Sequence, residues 1–318
     1  MTVGRDFADN SAVLGCVVSI VEDQSMVVET IRPIEIAIEP KAAADRDRLL
    51  GALSNLTSVD PEHAFHIDTE SGQIILDGMS ELGLDRLIGQ ILDRVPILIG
   101  NPRVAYRETI AKSATADHTH KKPGSHEFAR IKIEVRPDAP GWTVTVENDL
   151  PIGVLPTEFA AAVLKGIDAV IKTGSLIGFP IVQARVRVID ATDREGHSSA
   201  SAFESAARTA MRDALVKAEP KLLEPVMVVE VMTPAECLST VTRDLTSRRA
   251  HFLPGDPSTP LHRISAHVPL DHMFGYDSSL RGITSGRGTW SMSFSHYAPV
   301  PPTNRGPDTF GPAVGLRG

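Results

Sequence analysis

Few cysteines, few aromatic side chains, no long apolar run and no excess of basic charge mark this 318-residue chain. Two cysteines, Cys16 and Cys237, cannot build a four-cysteine zinc site or a disulfide framework, and they read as buried thiols of a reducing compartment. Aromatics make up 5% of the residues, while the hydrophobic share of 42% is ordinary for a globular chain. The apolar run at 12–21 is too short to cross a bilayer. The N-terminal MTVGRDFADN carries acids where a secretory leader carries a basic segment. The expectation is a cytoplasmic protein with no membrane partner. A formal net charge of −8 and a pI near 5.8 exclude a body that coats nucleic acid over its whole surface. They leave room for a local basic patch, because binding depends on where the charges sit.

Such a patch stands at residues 118–135, HTHKKPGSHEFARIKIEV. A basic loop marked by Gly and Pro leads into strict alternation: Ile131, Ile133 and Val135 face one way, and Lys132, Glu134 and Arg136 the other. A half-buried strand beneath a cationic loop suits the projection of positive charge toward an anionic partner.

The rest of the chain falls into a pattern around this stretch. Residues 1–30 contain one apolar run, read as a strand or two against the next domain or as a remnant of something larger serving as a linker. Between 33 and 100 the order is βαββαβ: a strand on Ile34, Ile36 and Ile38, a helix at 45–58 with Leu49, Leu53 and Leu56 on one face, and strands at 65–68 and 74–76. A helix at 80–95 with Leu84, Leu87, Ile88 and Ile91 inward and a strand at 97–99 complete it. A central α+β unit follows. Its strands lie at 129–135, around Trp142, Val144 and Val146, and at 182–188 with Arg185 and Arg187 outward. Its helices lie at 157–172, on Phe159, Val163, Ile167 and Val170, and at 199–218. From 222 to 297 the order βαββαβ returns. Here Thr233-Pro234-Ala235-Glu236 reads as a capping box opening a helix that runs to about Arg249. A short helix at 270–283 precedes a last strand with Trp290, Met292 and Phe294 inward. Residues 298–318, rich in Pro and Gly, read as a disordered tail.

The fold class is α+β, with two ferredoxin-like βαββαβ domains at 31–102 and 222–297 flanking a central α+β domain at 103–221. Two chemical readings of the residues are set aside. His118, His120, His126 and His197 have no cysteine or carboxylate cluster beside them to complete a metal site. Gly196-His197-Ser198-Ser199-Ala200 only loosely mimics a nucleophile elbow, and its serines read as caps of the following helix. No catalytic residue and no metal are expected.

Several segments together carry a resemblance: IEIAIEPKAAAD at 34–45, GMSELGLD at 78–85, NPRVAYRETI at 101–110, LLEPVMVVEVMTP at 222–234 and PLDHMFGYDSSLRGITSGRGTWSMSF at 269–294. They resemble the third, fourth and fifth domains of bacterial elongation factor G, in order, over about 30–297. The resemblance implies a ribosomal-protein-like central domain whose tip reaches the decoding region, where it helps move transfer RNA and messenger RNA. The flanking domains would bear on ribosomal RNA and protein. The sequence has no G-x-x-x-x-G-K-[ST] loop and no Gly-Lys pair, so this polypeptide is not expected to bind or hydrolyse GTP by the family mechanism. GTP would act only through a missing or separate GTPase half.

Position by position, the resemblance implies ribosome contact by the tip residues His120, Lys121, Lys122, Gly124, Ser125, His126, Arg130, Arg194, His197 and Ser198. It adds Gly275, Tyr276, Arg281 and Arg287 in the last domain. His120-Lys121-Lys122 matches the family's tip, whereas Pro123-Gly124-Ser125-His126-Glu127 makes a shorter turn. Arg194 stands where the family carries a functional histidine, and His197 where it carries an aspartate. Gly83 replaces a usual histidine inside a helix and reads as relaxed constraint.

Overall fold

The computed structural model describes residues 18–20 and 32–301, apart from 69–70, 122–126, 140–142, 152, 177, 195 and 255–261. These fall into two compact units, one over 32–103 and one that holds 18–20 with 104–301.

In the first unit, β2 (Ile34–Pro40), α1 (Arg46–Thr57), β3 (His63–Ile67), β4 (Ile74–Gly78), α2 (Glu81–Leu92) and β5 (Ile97–Ile99) follow in the expected order. The strands form an antiparallel sheet in the order β3-β4-β2-β5, the ferredoxin-like arrangement. Ile34, Ile36 and Ile38 are buried on the sheet. Leu49, Leu53 and Leu56 of α1, with Leu84, Leu87, Ile88 and Ile91 of α2, are buried as the helical spacing requires. Ser80 caps α2 by accepting a hydrogen bond from Gly83 N at 3.1 Å.

The short strand β6 (Arg103–Val104) lies at the boundary of the two units; in the second, β7 (Arg107–Ile110) precedes β8 (Ala114–Lys121) and β9 (Phe128–Pro137). Next come β10 (Val144–Asn148), α3 (Thr157–Thr173), β11 (Ala184–Thr192) and α4 (Ala200–Lys217). The sheet order is β1-β10-β11-β9-β8, where β1 is Val18–Ile20. Strand β1 therefore runs parallel along β10, in the central sheet. Ile131, Ile133 and Val135 are fully buried beneath the two helices. The helices pack closely: Phe159 stacks on Phe203 with centroids 5.0 Å apart, and α4 buries Ala202, Ala206, Ala210 and Ala214. A Cβ at Gly166 would lie 2.5 Å from the Glu204 carbonyl oxygen, so only glycine permits this approach. Trp142 lies outside the described residues.

The second βαββαβ unit comprises β12 (Pro220–Met232), α5 (Leu238–Ser247), β13 (His251–Phe252), β14 (Arg263–Pro269), α6 (Tyr276–Thr284) and β15 (Thr289–Pro299). Its sheet order, β13-β14-β12-β15, repeats that of the first unit. Three details depart from the sequence reading. Strand β12 begins at Pro220, because residues 220–223 pair with β7. Strand β15 runs to Pro299, so residues 298 and 299 are strand; residues 302–318 of the expected tail lie outside the described set. The capping box does not form. Thr233 N donates to His262 O at 3.2 Å, which holds residue 233 extended, and its buried hydroxyl has no partner. A 3-10 turn at Ala235–Cys237 intervenes before α5.

Candidate functional site

Strands β8 and β9 form a hairpin whose register brings His118 opposite Ile131, His120 opposite Ala129 and Lys121 opposite Phe128. His118, His120 and Lys121, expected in a loop, therefore stand on a strand. The polar spelling ATADHTHK hides an alternation in which Ala116 is buried and His118 and His120 follow on the same half-buried face. Lys121 and Thr119 point outward. Lys122, Gly124, Ser125 and His126 fall outside the described residues.

The loop before α4 closes on the turn end of this hairpin. Phe128 N donates to His197 O at 2.7 Å, and the Ser198 hydroxyl donates to Phe128 O at 2.7 Å while accepting from Arg194 N at 2.9 Å. Gly196 takes the left-handed conformation at φ 72° that turns the loop. The Arg194 guanidinium lies 4.1 Å above the Phe128 ring, a cation–π contact. Ser199 caps α4, accepting from Ala202 N at 3.1 Å, and donates to the Glu127 carboxylate. Of the two serines read as caps, Ser199 is one; Ser198 instead ties the loop to the strand. The structure thus gathers Lys121, Arg194, His197 and Ser198 around Phe128.

The other candidates lie apart from this cluster. Arg130 pairs with Asp117 and, at 3.2 Å, with Asp190. The Arg130 hydrogen bond holds the Asp117 carboxyl below its ordinary range. Arg130 therefore belongs to an ion-pair lattice over the outer face of the sheet, not to the group of cations at the tip. The same lattice takes Arg185 to Glu147 at 2.6 Å and to Asp138 at 3.4 Å. Arg187 joins Glu134 at 3.1 Å and Glu147 at 3.5 Å. In the last domain, Tyr276 overturns its expected role as a ribosome contact. It is 1% exposed, packs edge-on against Trp290 at 5.0 Å, and burial pushes its hydroxyl well above the phenol range. Its ring is core, beneath Arg248 at 5.0 Å. Gly275 supplies the left-handed turn (φ 69°) into α6. Arg281 and Arg287 are exposed and paired with Asp277 and Glu236 at 2.7 and 2.6 Å.

One feature was missed by sequence reasoning. A cavity of about 240 Å³ in the first unit is lined by Leu56, Asp60, His63, Gly83, Arg86 and Gln90, among others. His63 is 5% exposed; its Nδ1 is 2.9 Å from Asp60 Oδ2 and its Nε2 has no hydrogen-bond partner. A Cβ at position 83 would lie 2.9 Å from that Nε2 and 3.0 Å from Ser80 Oγ. Gly83 is therefore a packing requirement and not relaxed constraint. A glycine on the buried face of an otherwise regular amphipathic helix was the available signal.

Among the described residues no group of three or more His, Cys, Asp or Glu side chains is placed to hold a metal ion, and no helix is long and apolar enough to cross a membrane.

Comparison with known proteins gives matches along nearly the whole described chain. Three family models match in sequence order: elongation factor G domain III over 32–97, elongation factor G domain IV over 102–219, and the elongation factor G C-terminus over 221–305. Elongation factor G of Paracoccus denitrificans (strain Pd 1222) is 44% identical over 272 residues, covering 84% of this chain and 38% of the relative. That of Cereibacter sphaeroides (strain KD131) is 45% identical, covering 84% and 39%. A crystal structure of a Thermus thermophilus protein superposes with a TM-score of 0.62 at 32% identity, over 86% of this chain and 41% of that one. The chain thus spans about two fifths of the length of the curated relatives it matches.

Proposed function

The chain belongs to the elongation factor G family, whose third, fourth and C-terminal domains it carries, and on that premise we propose that it is a ribosome-binding module. Its central domain contacts RNA through the tip. The observation that carries this reading is the gathering of Lys121, Arg194 and His197 around Phe128, at the end of the β8–β9 hairpin. Guanidinium and ammonium groups neutralise phosphates, and an arginine held on an aromatic ring presents a flat face on which a base stacks. His120 and Arg281 with Arg287 add further polar contact on the half-buried face of the hairpin and on the last domain.

This module performs no bond chemistry of its own. GTP binding and hydrolysis belong to a GTPase portion on the same or another polypeptide, and with it the module supports movement of transfer RNA and messenger RNA. Co-sedimentation with ribosomes across a salt series tests the reading. Binding should fall linearly on a log–log plot against salt, and Lys121→Ala or Arg194→Ala should each reduce that slope by about 0.7–0.9. Absence of co-sedimentation at low salt would refute it.

A second reading rests on the sequence alone, where Pro123-Gly124-Ser125-His126-Glu127 departs from the family's tip pattern. A tip of different shape binds the factor site without supporting movement. Added to a translation assay, such a module inhibits intact factor; a working module restores GTP-dependent movement when mixed with a GTPase portion.

A further inference from the structure

The segment that enters the central domain and the segment that leaves it for the last domain are zipped into one ribbon. Residues 107–110 of β7 pair antiparallel with 220–223 of β12, so the segment entering the central domain extends the C-terminal sheet. Beyond them Ala111 N donates to Ala218 O and Glu219 O, each at 3.1 Å, and Lys112 pairs with Glu219 at 2.6 Å. Tyr297 of β15 donates to Ala105 O at 2.7 Å.

Glu108 sits in this ribbon, and its other side is turned to the central domain. Its backbone accepts from Val182 N and donates to Pro180 O, both at 2.8 Å. Its side chain is wholly buried. One carboxylate oxygen accepts from Ser175 N at 2.7 Å and Leu176 N at 3.0 Å, and the other from Phe179 N at 3.3 Å. These amides belong to the loop that follows α3. Gly174, at φ 67°, makes the arrangement possible: a Cβ there would lie 2.7 Å from the Glu108 carboxyl and 2.1 Å from Phe179 O.

A buried carboxylate that gathers the amides of one domain while its backbone is a strand of the next domain's sheet is a joint with little freedom. We propose that Glu108 is a positioning residue: it locks the tip-bearing domain to the C-terminal sheet, so that the two move as one lever and the tip keeps a fixed bearing. This concerns how the tip is carried, and its test needs no ribosome, so its failure is distinct from failure of the ribosome-binding reading.

The test is single-molecule energy transfer on the full chain, with dyes at the exposed positions 121 and 281. The unaltered joint should give one narrow distance distribution. Glu108→Gln puts an NH2 group where an acceptor faced a backbone N–H, and Gly174→Ala displaces the same carboxylate from the loop. Either variant should broaden the distribution or split it, while Ile167→Val, a buried change within α3 that does not touch the Glu108 hydrogen bonds, should lower stability and leave the distribution narrow. Should Glu108→Gln not fold, Gly174→Ala decides. A distribution as narrow as the parent's in the folded joint variants, or equal broadening by Ile167→Val, overturns the proposal.

Discussion

Replacing Gly83 by alanine separates two physical effects of opposite sign. In an open helix interior the change is worth about 1 kcal/mol in favour of alanine. Here the new methyl would lie 2.9 Å from His63 Nε2 and 3.0 Å from Ser80 Oγ. His63 can yield only by turning into the adjoining cavity, which gives up its 2.9 Å bond to Asp60. That bond is worth about 1 kcal/mol, and crowding in a packed site costs about 1–3 kcal/mol. Ser80 is the helix cap, and disturbing it costs about 1 kcal/mol more at most. The crowding wins: Gly83→Ala should destabilise the first unit by roughly 1–4 kcal/mol. In a His63→Ala background the main obstacle is gone, and the same substitution should be neutral or stabilising by up to about 1 kcal/mol. The first unit contains neither Trp142 nor Trp290, so hydrogen exchange of the α2 amides is the suitable measure. A Gly83→Ala effect of the same size and sign in both backgrounds would refute the reasoning.

Three further outcomes follow from the same geometry. Tyr276→Phe removes a buried hydroxyl that has no hydrogen-bond partner and should leave stability unchanged or raise it by up to about 1 kcal/mol, with ribosome co-sedimentation unaltered; weakened binding would return Tyr276 to the surface. Ser199→Ala removes the α4 cap and should lower the stability of the central domain by about 1 kcal/mol in urea titrations. Glu134 is held below the ordinary carboxylate range by hydrogen bonds, first from Arg136 and then from Arg187. Its contribution is present above the unfolded value near 4.3 and is lost as pH falls through the lower folded value. Glu134→Gln should therefore flatten part of the acid arm of stability below about pH 4.3 and leave that at pH 7 less salt-sensitive.

The sequence was most informative where side chains alternate or recur for burial. Ile34, Ile36 and Ile38, the leucines of α1 and α2, and Ile131 to Val135 all took the faces their spacing demanded. The repeated βαββαβ order then gave the sheet topology. It was least informative where a polar residue has an interior task. Glu108 looks like a surface acid in an ordinary strand, because nothing local announces the amides of Ser175 and Leu176, 67 and 68 residues away. Tyr276 has the same spelling whether it stacks on RNA or on Trp290. Strand β8 was concealed because its inward residues are alanine and histidine, too weakly apolar to mark a face. The capping box at 233–236 had the right letters, but Thr233 N is engaged by His262 O just past the end of β12, and the box does not form.

The ion-pair lattice on the outer face of the central sheet has a consequence for the direction of approach. Arg130, Arg185 and Arg187 are already engaged by carboxylates of neighbouring strands. A nucleic-acid backbone laid flat along that face would meet guanidiniums whose charge is balanced and would have to displace Glu134, Glu147 and Asp117 to reach them. At the hairpin's end, Lys121 and Arg194 have their cationic groups turned to solvent. Under the proposed ribosome-binding reading, contact is therefore end-on: the tip meets RNA first, and the balanced flanks of the domain pass it without adhering.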